Sequence, residues 1–183
     1  MIFLRSLVFV IAQILVTAPY SIFALTTAPL APLARFRLIA GWSRAMIWLA
    51  RTVLGIDYRV IGMENLPRTP AVILSKHQSA WETLAFQVIF PPHVLVLKRE
   101  LLWIPFFGWG LALTSPIAID RSSGVRALRR MVEQGRKRLA QGFWIAIFPE
   151  GTRVQPGRRG KYHLGGAWLA VNCEAPVVPV AHN

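Results

Sequence analysis

The chain has 183 residues, of which 54% are hydrophobic and only 16% charged, so it can form one domain with a real core plus an appended segment. Lys and Arg number 21 against 8 Asp and Glu, and the resulting net charge of +13 suits nucleic acid, an anionic membrane face or acidic substrates. Seven Trp and ten Phe argue against disorder, and the single Cys173 excludes an internal disulfide framework.

The amino-terminal segment, residues 1–54, carries the strongest membrane signal. Ser6 to Leu25 is predominantly apolar, and about 20 such residues are long enough to cross a hydrocarbon core as a helix. Pro19, Pro29 and Pro32 are expected to break or kink any continuous helix. The segment is therefore predicted to be a retained membrane anchor, and a cleaved signal peptide fits less well because the apolar stretch is long.

A second stretch of this anchor, residues 38–50, is amphipathic and places Trp42 and Trp48 where they suit a membrane interface. Either one helix spans the bilayer or a helical pair lies in one leaflet, and the sequence leaves both open. The apolar stretch is followed by four arginines, at positions 35, 37, 44 and 51. The positive-inside bias then places the remaining domain at the cytoplasmic surface.

Residues 55–183 alternate between strand and helix patterns, without an internal repeat or a low-complexity linker. The expected strands are 58–61, 71–74, 93–97, 115–119, 144–148 and 176–181, and the expected helices are 81–90, 124–141 and 160–172. This alternation predicts a layered α/β domain with a largely parallel sheet flanked by helices. Ligands of such sheets collect beyond the carboxyl ends of the strands, where His77, Arg121 and residues 150–153 are expected.

The first candidate site is His77-Gln-Ser-Ala-Trp-Glu82, which follows a buried strand. On one regular helix His77 and Glu82 would point about 140° apart. They can meet only if His77 lies in the strand-to-helix turn and Glu82 in the first helical turn. The carboxylate would then accept from one ring nitrogen and leave the other to take a hydroxyl proton.

The second candidate site is Phe148-Pro-Glu-Gly-Thr-Arg153, which ends the strand predicted at 144–148. Gly151 permits a left-handed backbone, and Arg153 can bind a phosphate through two N–H groups. The backbone N–H groups of Gly151 and Thr152 are possible donors to an oxyanion. Alone, either motif is equally well explained as a turn, but together they indicate proton transfer beside an anion site.

This pairing resembles the glycerolipid acyltransferase family, most closely its bacterial 1-acyl-sn-glycerol-3-phosphate acyltransferases. The matching blocks, in family order, are Lys76–Thr83, Ser115–Arg121, Phe148–Arg153 and Val177–Val180, with Lys98–Gly108 resembling the segment between the first two. Glu82 stands where the family usually has Asp, and a longer carboxylate can still reach the imidazole. Family members usually continue past the last block, so a chain truncated at its carboxyl terminus is expected.

The resemblance implies that His77 is the general base for the 2-hydroxyl of lysophosphatidic acid and that Glu82 orients it. It implies that Arg121 and Arg153 hold the glycerol phosphate, with Lys98 a further candidate, and that Glu150 and Gly151 shape the glycerol site. The acyl donor would be acyl-CoA or acyl-carrier protein, without a cofactor or a metal. The implied location is the cytoplasmic side of a bacterial inner membrane, with anionic lipids as partners and no nucleic acid.

Two features and two other functions stay open. The basic face of the helix expected at 124–141 suits lipid headgroups, an acidic carrier protein or plain solvation, and the aromatic segment 103–109 suits either core packing or a membrane-dipping loop. A non-catalytic basic module would leave both strand-end turns unexplained. A hydrolase using His77 to activate water is disfavoured because no Gly-x-Ser-x-Gly elbow is present. Another acceptor, such as glycerol 3-phosphate or another lysolipid, fits the same motifs.

Overall fold

The computed structural model describes residues 1–182, with the side chains of all of them except Arg121. Five parallel strands form one sheet in the order β3-β2-β4-β1-β5. The strands are β1 (Val72–Ser75), β2 (His93–Lys98), β3 (Ile117–Ile119), β4 (Trp144–Ile147) and β5 (Val177–Val180). The helices are α1 (Ile2–Thr26), α2 (Pro32–Leu49), α3 (Trp81–Ile89), α4 (Phe107–Leu113), α5 (Val125–Ala140) and α6 (Gly165–Asn172). The predicted α/β class with a parallel sheet is confirmed.

The strand predicted at residues 58–61 is wrong. This segment is extended but pairs with no described strand, and Ile61 is 81% exposed. Its branched residues favour a strand, but that preference is realised only beside a partner strand. Instead the Tyr58 ring packs edge-on against Trp81 at 5.3 Å between centroids, which ties the segment to α3.

Alternate residues of the buried strands point to the two faces of the sheet, as their spacing requires. Val72 and Ile145 pack with Met131 of α5 and Leu169 of α6, and this cluster holds most of the core. On the other face, Phe86 of α3 packs with residues including Ile73 and Ala146. The sheet is therefore covered on both sides, as an all-parallel sheet requires.

The two amino-terminal helices pack against each other and against the domain. Of the predicted break or kink, a break at Pro19 is wrong because α1 continues through it, whereas Pro29 lies in the turn between the helices and Pro32 opens α2. The Tyr20 hydroxyl donates to the Leu38 carbonyl at 2.6 Å and links the two helices. Contacts along a partner helix offset the hydrogen bond that a proline removes.

The two helices differ in their burial. α1 is largely exposed. Within the described residues it is the one helix that is long and apolar enough to cross a bilayer. Signal sequences and buried core helices can have the same length and composition. α2 buries Phe36, Ile39 and Ala40, and Phe36 packs edge-on against Phe143 at 5.7 Å. The second helix thus contributes to the core of the α/β domain, and the division at residue 54 stays a prediction.

Candidate active site

The sheet order brings the two sequence motifs together. β1 and β4 are neighbours, with Leu74 paired to Ile147, so the turns that follow them leave the same edge of the sheet side by side. The carbonyl of His77 accepts from the Val154 N–H at 2.8 Å, a direct backbone bond between the two turns. The structure therefore places the predicted proton-transfer motif beside the predicted anion-binding motif.

His77 and Glu82 meet in the geometry that their spacing requires. His77 lies in the turn after β1 and Glu82 in the first turn of α3, with His77 Nδ1 2.7 Å from Glu82 Oε1. The carboxylate also accepts from the N–H groups of Gln78 and Ser79 at 2.7 and 2.8 Å, and from the Ser79 hydroxyl. Four donors thus hold one carboxylate that is only 1% exposed.

These donors keep Glu82 ionised despite its burial. Burial by itself raises the pKa of the Glu82 carboxyl, but the hydrogen bonds from His77, from the Ser79 hydroxyl and from the backbone outweigh it and lower the pKa to about 2. A fixed carboxylate selects the tautomer in which Nδ1 carries the proton. The lone pair of His77 is then on Nε2, which has no partner among the described residues.

The imidazole ring is held on a second side by Phe148, the first residue after β4. The two rings stack with their centroids 4.2 Å apart and their planes 19° apart. The Phe148 ring in turn stacks near Phe86 of α3, at 6.2 Å and 20°. Because the ring plane is fixed by stacking and Nδ1 by Glu82, Nε2 has one direction in which to act.

Glu150 supports the turn that carries His77. It is 3% exposed, and its Oε2 accepts the backbone N–H of His77 at 3.0 Å while Oε1 accepts that of Gly160 at 3.4 Å. A carboxylate used in this way positions the base and is not free to contact a substrate. Its predicted part in shaping the glycerol site stays a prediction, and the structure adds its contact with the backbone of His77.

The predicted phosphate-binding residues lie along the same edge. Lys98 ends β2, Arg153 follows β4, and both side chains are exposed and form no ion pair with any described residue. Arg121 begins the turn after β3, but its side chain lies outside the described residues. At a strand spacing of roughly 4.8 Å, the end of β2 is about 10 Å from that of β1, and the end of β3 is about 14 Å away.

Gly151 and Thr152 differ in their backbone N–H groups. Gly151 has φ +67°, the left-handed backbone that glycine was predicted to permit. Its N–H donates to the Phe148 carbonyl at 3.0 Å and closes the turn, which leaves it poorly placed to bind an oxyanion. The N–H of Thr152 forms no hydrogen bond to any described residue, so of the two it is the better candidate donor.

Sequence reasoning missed two residues that organise the site. Ser79 stands three positions before Glu82, the spacing of a helix capping box, and this pattern could have identified it. Asp120 accepts from the N–H and hydroxyl of Ser122 and from Arg99 at 3.3 Å, which fixes the turn that carries Arg121. No comparable sequence signal exists for Asp120, because its partner Arg99 comes from a different strand.

The arrangement suits acid–base chemistry on a substrate that carries an anion. It offers an oriented imidazole, a buried ionised carboxylate behind it and exposed cations along the edge. Within residues 1–182, no three side chains among His, Cys, Asp and Glu come together as a metal site requires. The groups in place can remove a proton from a hydroxyl while nearby cations hold a phosphate.

Comparison with known proteins identifies the family. The acyltransferase family model matches residues 57–183. A 1-acyl-sn-glycerol-3-phosphate acyltransferase of Pseudomonas aeruginosa is 54% identical over 158 residues, which are 85% of this chain and 62% of that protein. A protein of the same name from Saccharomyces cerevisiae is 32% identical over 154 residues, which are 78% of this chain and 48% of that protein. The chain thus spans less than two thirds of the length of these relatives.

A solved structure shares the fold. The crystal structure of the 1-acyl-sn-glycerophosphate acyltransferase PlsC from Thermotoga maritima superposes with a TM-score of 0.78 at 23% identity, and the match covers 97% of this chain and 72% of that one. The match includes the two amino-terminal helices as well as the sheet, since it covers nearly the whole chain. With the family model spanning both motifs, the chain belongs to the acyltransferase family.

Proposed function

We propose that the chain transfers a fatty acyl group from a thioester to the 2-hydroxyl of 1-acyl-sn-glycerol 3-phosphate and thereby makes phosphatidic acid for phospholipid synthesis. The observation that carries the proposal is the His77–Glu82 pair, held at 2.7 Å beside the turn that presents Arg153. The names of the relatives from Pseudomonas aeruginosa and Saccharomyces cerevisiae support the acceptor.

The proposed reaction begins with His77. Its Nε2 takes the proton of the acceptor hydroxyl as the oxygen attacks the thioester carbonyl carbon, and Glu82 stabilises the imidazolium that forms. The tetrahedral oxyanion collapses with loss of the thiolate, which takes the proton back from Nε2 and leaves as the thiol. Atoms balance with one ester and one thiol as products, without a covalent enzyme intermediate, a metal or a cofactor.

The exposed cations are assigned to the acceptor's phosphate. Arg153 lies in the turn after β4, next to the turn that carries His77, and Lys98 and Arg121 lie farther along the same edge. An acceptor whose hydroxyl reaches Nε2 can extend its phosphate toward these side chains. Charge-assisted hydrogen bonds from guanidinium to phosphate are short and roughly twice as strong as neutral ones, so Arg153 and Arg121 are the main proposed contacts.

The proposed location is the cytoplasmic face of a bacterial inner membrane. α1 supplies the apolar helix, and the arginines of α2 and the residues after it supply the positive charge expected on that side. An acceptor with a fatty acyl chain is dissolved in the membrane, so a membrane-attached site is suited to it. The donor is acyl-CoA or acyl-carrier protein, which share the thioester that the chemistry requires.

The test measures thiol release by the purified chain in vesicles, with acyl-CoA or acyl-carrier protein as donor and with lysophosphatidic acid, glycerol 3-phosphate or lysophosphatidylcholine as acceptor. We expect release that requires lysophosphatidic acid and is lost in His77→Ala. The matched control is His163→Ala, which removes an exposed imidazole. Release without any acceptor would indicate hydrolysis instead. A folded, vesicle-bound wild type that is silent with every pair would refute acyl transfer.

A further inference from the structure

The segment that follows β2 and continues into the first turn of α4 exposes an unusual amount of aromatic surface. We call residues 101–109 the aromatic loop. Trp103 is 67% exposed, and four more large apolar side chains of the loop, Leu101, Ile104, Phe106 and Trp109, are each about two fifths exposed. Core packing, one of the two explanations that the sequence allowed, therefore does not account for these side chains.

The backbone of the loop is strained at Phe106, one of these exposed residues. Phe106 has φ +61° and ψ −63°, and the Phe107 N–H donates to the Pro105 carbonyl at 2.7 Å, which makes a γ-turn of the rarer positive-φ type. Gly108 lies so close to the preceding turn that a Cβ would clash with the Leu102 carbonyl oxygen. Strain at a non-glycine residue persists only where the surroundings enforce it, and it points to a use for the exposed ring.

The aromatic loop is continuous with the membrane helix. α4 begins at the end of the loop and packs along α1, where a Cβ on Gly110 would stand 3.6 Å from Ser21 Oγ. Phe107 meets Trp42 of α2 at 6.0 Å between ring centroids. Trp42 in turn donates to the Thr17 hydroxyl of α1 at 3.1 Å, so the loop leaves α4 at the end that lies near Thr17, on a helix whose other apolar side chains are largely exposed.

The charges around the aromatic loop suit an anionic lipid surface. Lys98 and Arg99 precede it and are exposed, and the Arg99 guanidinium lies over the Trp103 ring at 5.9 Å from its centroid. Glu100 is the exposed acid of this stretch, so residues 98–109 keep a net positive charge. Tryptophan rings with nearby cations are enriched where acyl chains meet headgroups.

We propose that the aromatic loop inserts into the bilayer beside α1 as a second membrane contact. The loop binds the interfacial layer of a bilayer with anionic headgroups. The Trp and Phe rings lie among the acyl chains near the headgroups, and the Lys and Arg side chains contact the headgroups. A single helix leaves a domain free to rotate about its axis, whereas two separate contacts fix its orientation. The carboxyl edge of the sheet, from which the loop leaves β2, is then held at the membrane surface.

The direct test measures quenching of tryptophan emission by phospholipids brominated near the headgroup, with the full chain in mixed phosphatidylcholine and phosphatidylglycerol vesicles. The emission lost in Trp103→Phe, taken as a difference from wild type, is that of Trp103. We expect brominated lipid to remove most of it. The matched control is Trp168→Phe, because Trp168 is 51% exposed but lies on α6, across the sheet from the aromatic loop. The emission of Trp168 should not change.

A second measurement separates insertion from a structural role. Phe106→Gly removes the ring and suits the positive φ, so thermal stability should be kept or raised. Combined with Trp103→Ser, it should raise several-fold the rate at which the domain reorients on the vesicle, measured as the anisotropy decay of a fluorescent label on the chain, because α1 alone then orients it. Trp168→Ser should leave the rate unchanged.

Two outcomes would overturn the proposal. Unquenched Trp103 emission from vesicle-bound chain would place the aromatic loop outside the bilayer. If Trp103→Ser instead dissociated a dimer in detergent, as measured by light scattering, the patch would be a contact between copies of the chain. Neither measurement uses the acyl-transfer reaction, so an inactive chain would leave this result standing.

Discussion

Replacing Glu82 by Gln tests whether the carboxylate behind His77 contributes its charge or only its shape. The pKa of Glu82 is about 2 against an ordinary 4.5, a difference of 2.5 that amounts to about 3 kcal/mol in favour of the ionised form. The hydrogen bond to His77 is the largest of the interactions that lower this pKa. Glutamine keeps the size and an acceptor oxygen but removes the charge that stabilises an imidazolium.

Acceptor-dependent thiol release by Glu82→Gln should therefore fall about 10- to 100-fold, with most of the loss in kcat, because His77 accounts for only part of the roughly 3 kcal/mol and the whole of it corresponds to about 100-fold. Glu82→Asp keeps the charge and should retain more activity than Glu82→Gln. Circular dichroism and thermal unfolding of both variants check that the fold is kept. A folded Glu82→Gln with activity within about threefold of wild type would refute the reasoning. A threefold loss corresponds to less than about 1 kcal/mol of activation free energy, and forming an imidazolium without its carboxylate should cost more than that.

Three further results are expected. Burial lowers the pKa of His93 to about 4, so the unfolded chain takes up a proton between pH 6.5 and 4 that the folded chain does not, and the free energy of unfolding falls by up to about 3 kcal/mol over this range. His93→Leu should therefore flatten the pH dependence of Tm between pH 6.5 and 4, and an unchanged slope would contradict this. Gly108→Ala should lower the free energy of unfolding by roughly 1–3 kcal/mol, because its Cβ would clash with the Leu102 carbonyl. The control Gly165→Ala should leave the free energy of unfolding nearly unchanged, because its Cβ makes only ordinary contacts. Equal unfolding midpoints of the two variants in denaturant would refute the clash. Arg153→Gln should raise KM for lysophosphatidic acid about tenfold or more at nearly constant kcat, and an unchanged KM would remove Arg153 from the phosphate site.

The elements around the site were predictable because each carries a strong local signal. The strands predicted at 71–74 and 144–148 are runs of branched or aromatic apolar residues, which is how a strand buried on both faces must read. The helix predicted at 160–172 begins five residues later, at Gly165. The Gly160 N–H is held by the Glu150 carboxylate instead of entering a helix, and this contact crosses between segments that no local pattern connects.

In the site, too, the contacts between residues close in sequence were predictable, and those that depend on the strand order were not. The contact between His77 and Glu82 follows from a five-residue spacing across a strand-to-helix turn, and the sequence predicted it. The stacking of Phe148 on His77 depends on β1 lying next to β4, although the first positions of these strands, Val72 and Trp144, are 72 residues apart in the chain. A strand order with another strand between them would leave both motifs intact and the site unformed.

The backbone N–H groups of the turn at residues 77–79 bind carboxylates of the protein itself. Its three successive backbone N–H groups all donate to buried carboxylates, that of His77 to Glu150 and those of Gln78 and Ser79 to Glu82. In many strand-to-helix turns such groups bind the ligand's phosphate, but here they are already occupied. The phosphate of the proposed acceptor is therefore assigned to the side chains along the edge, such as Lys98 and Arg153. Because these cations are exposed, their attraction is screened by salt, and KM for a phosphate-bearing acceptor should rise with ionic strength while kcat, set by the buried His77–Glu82 pair, changes little.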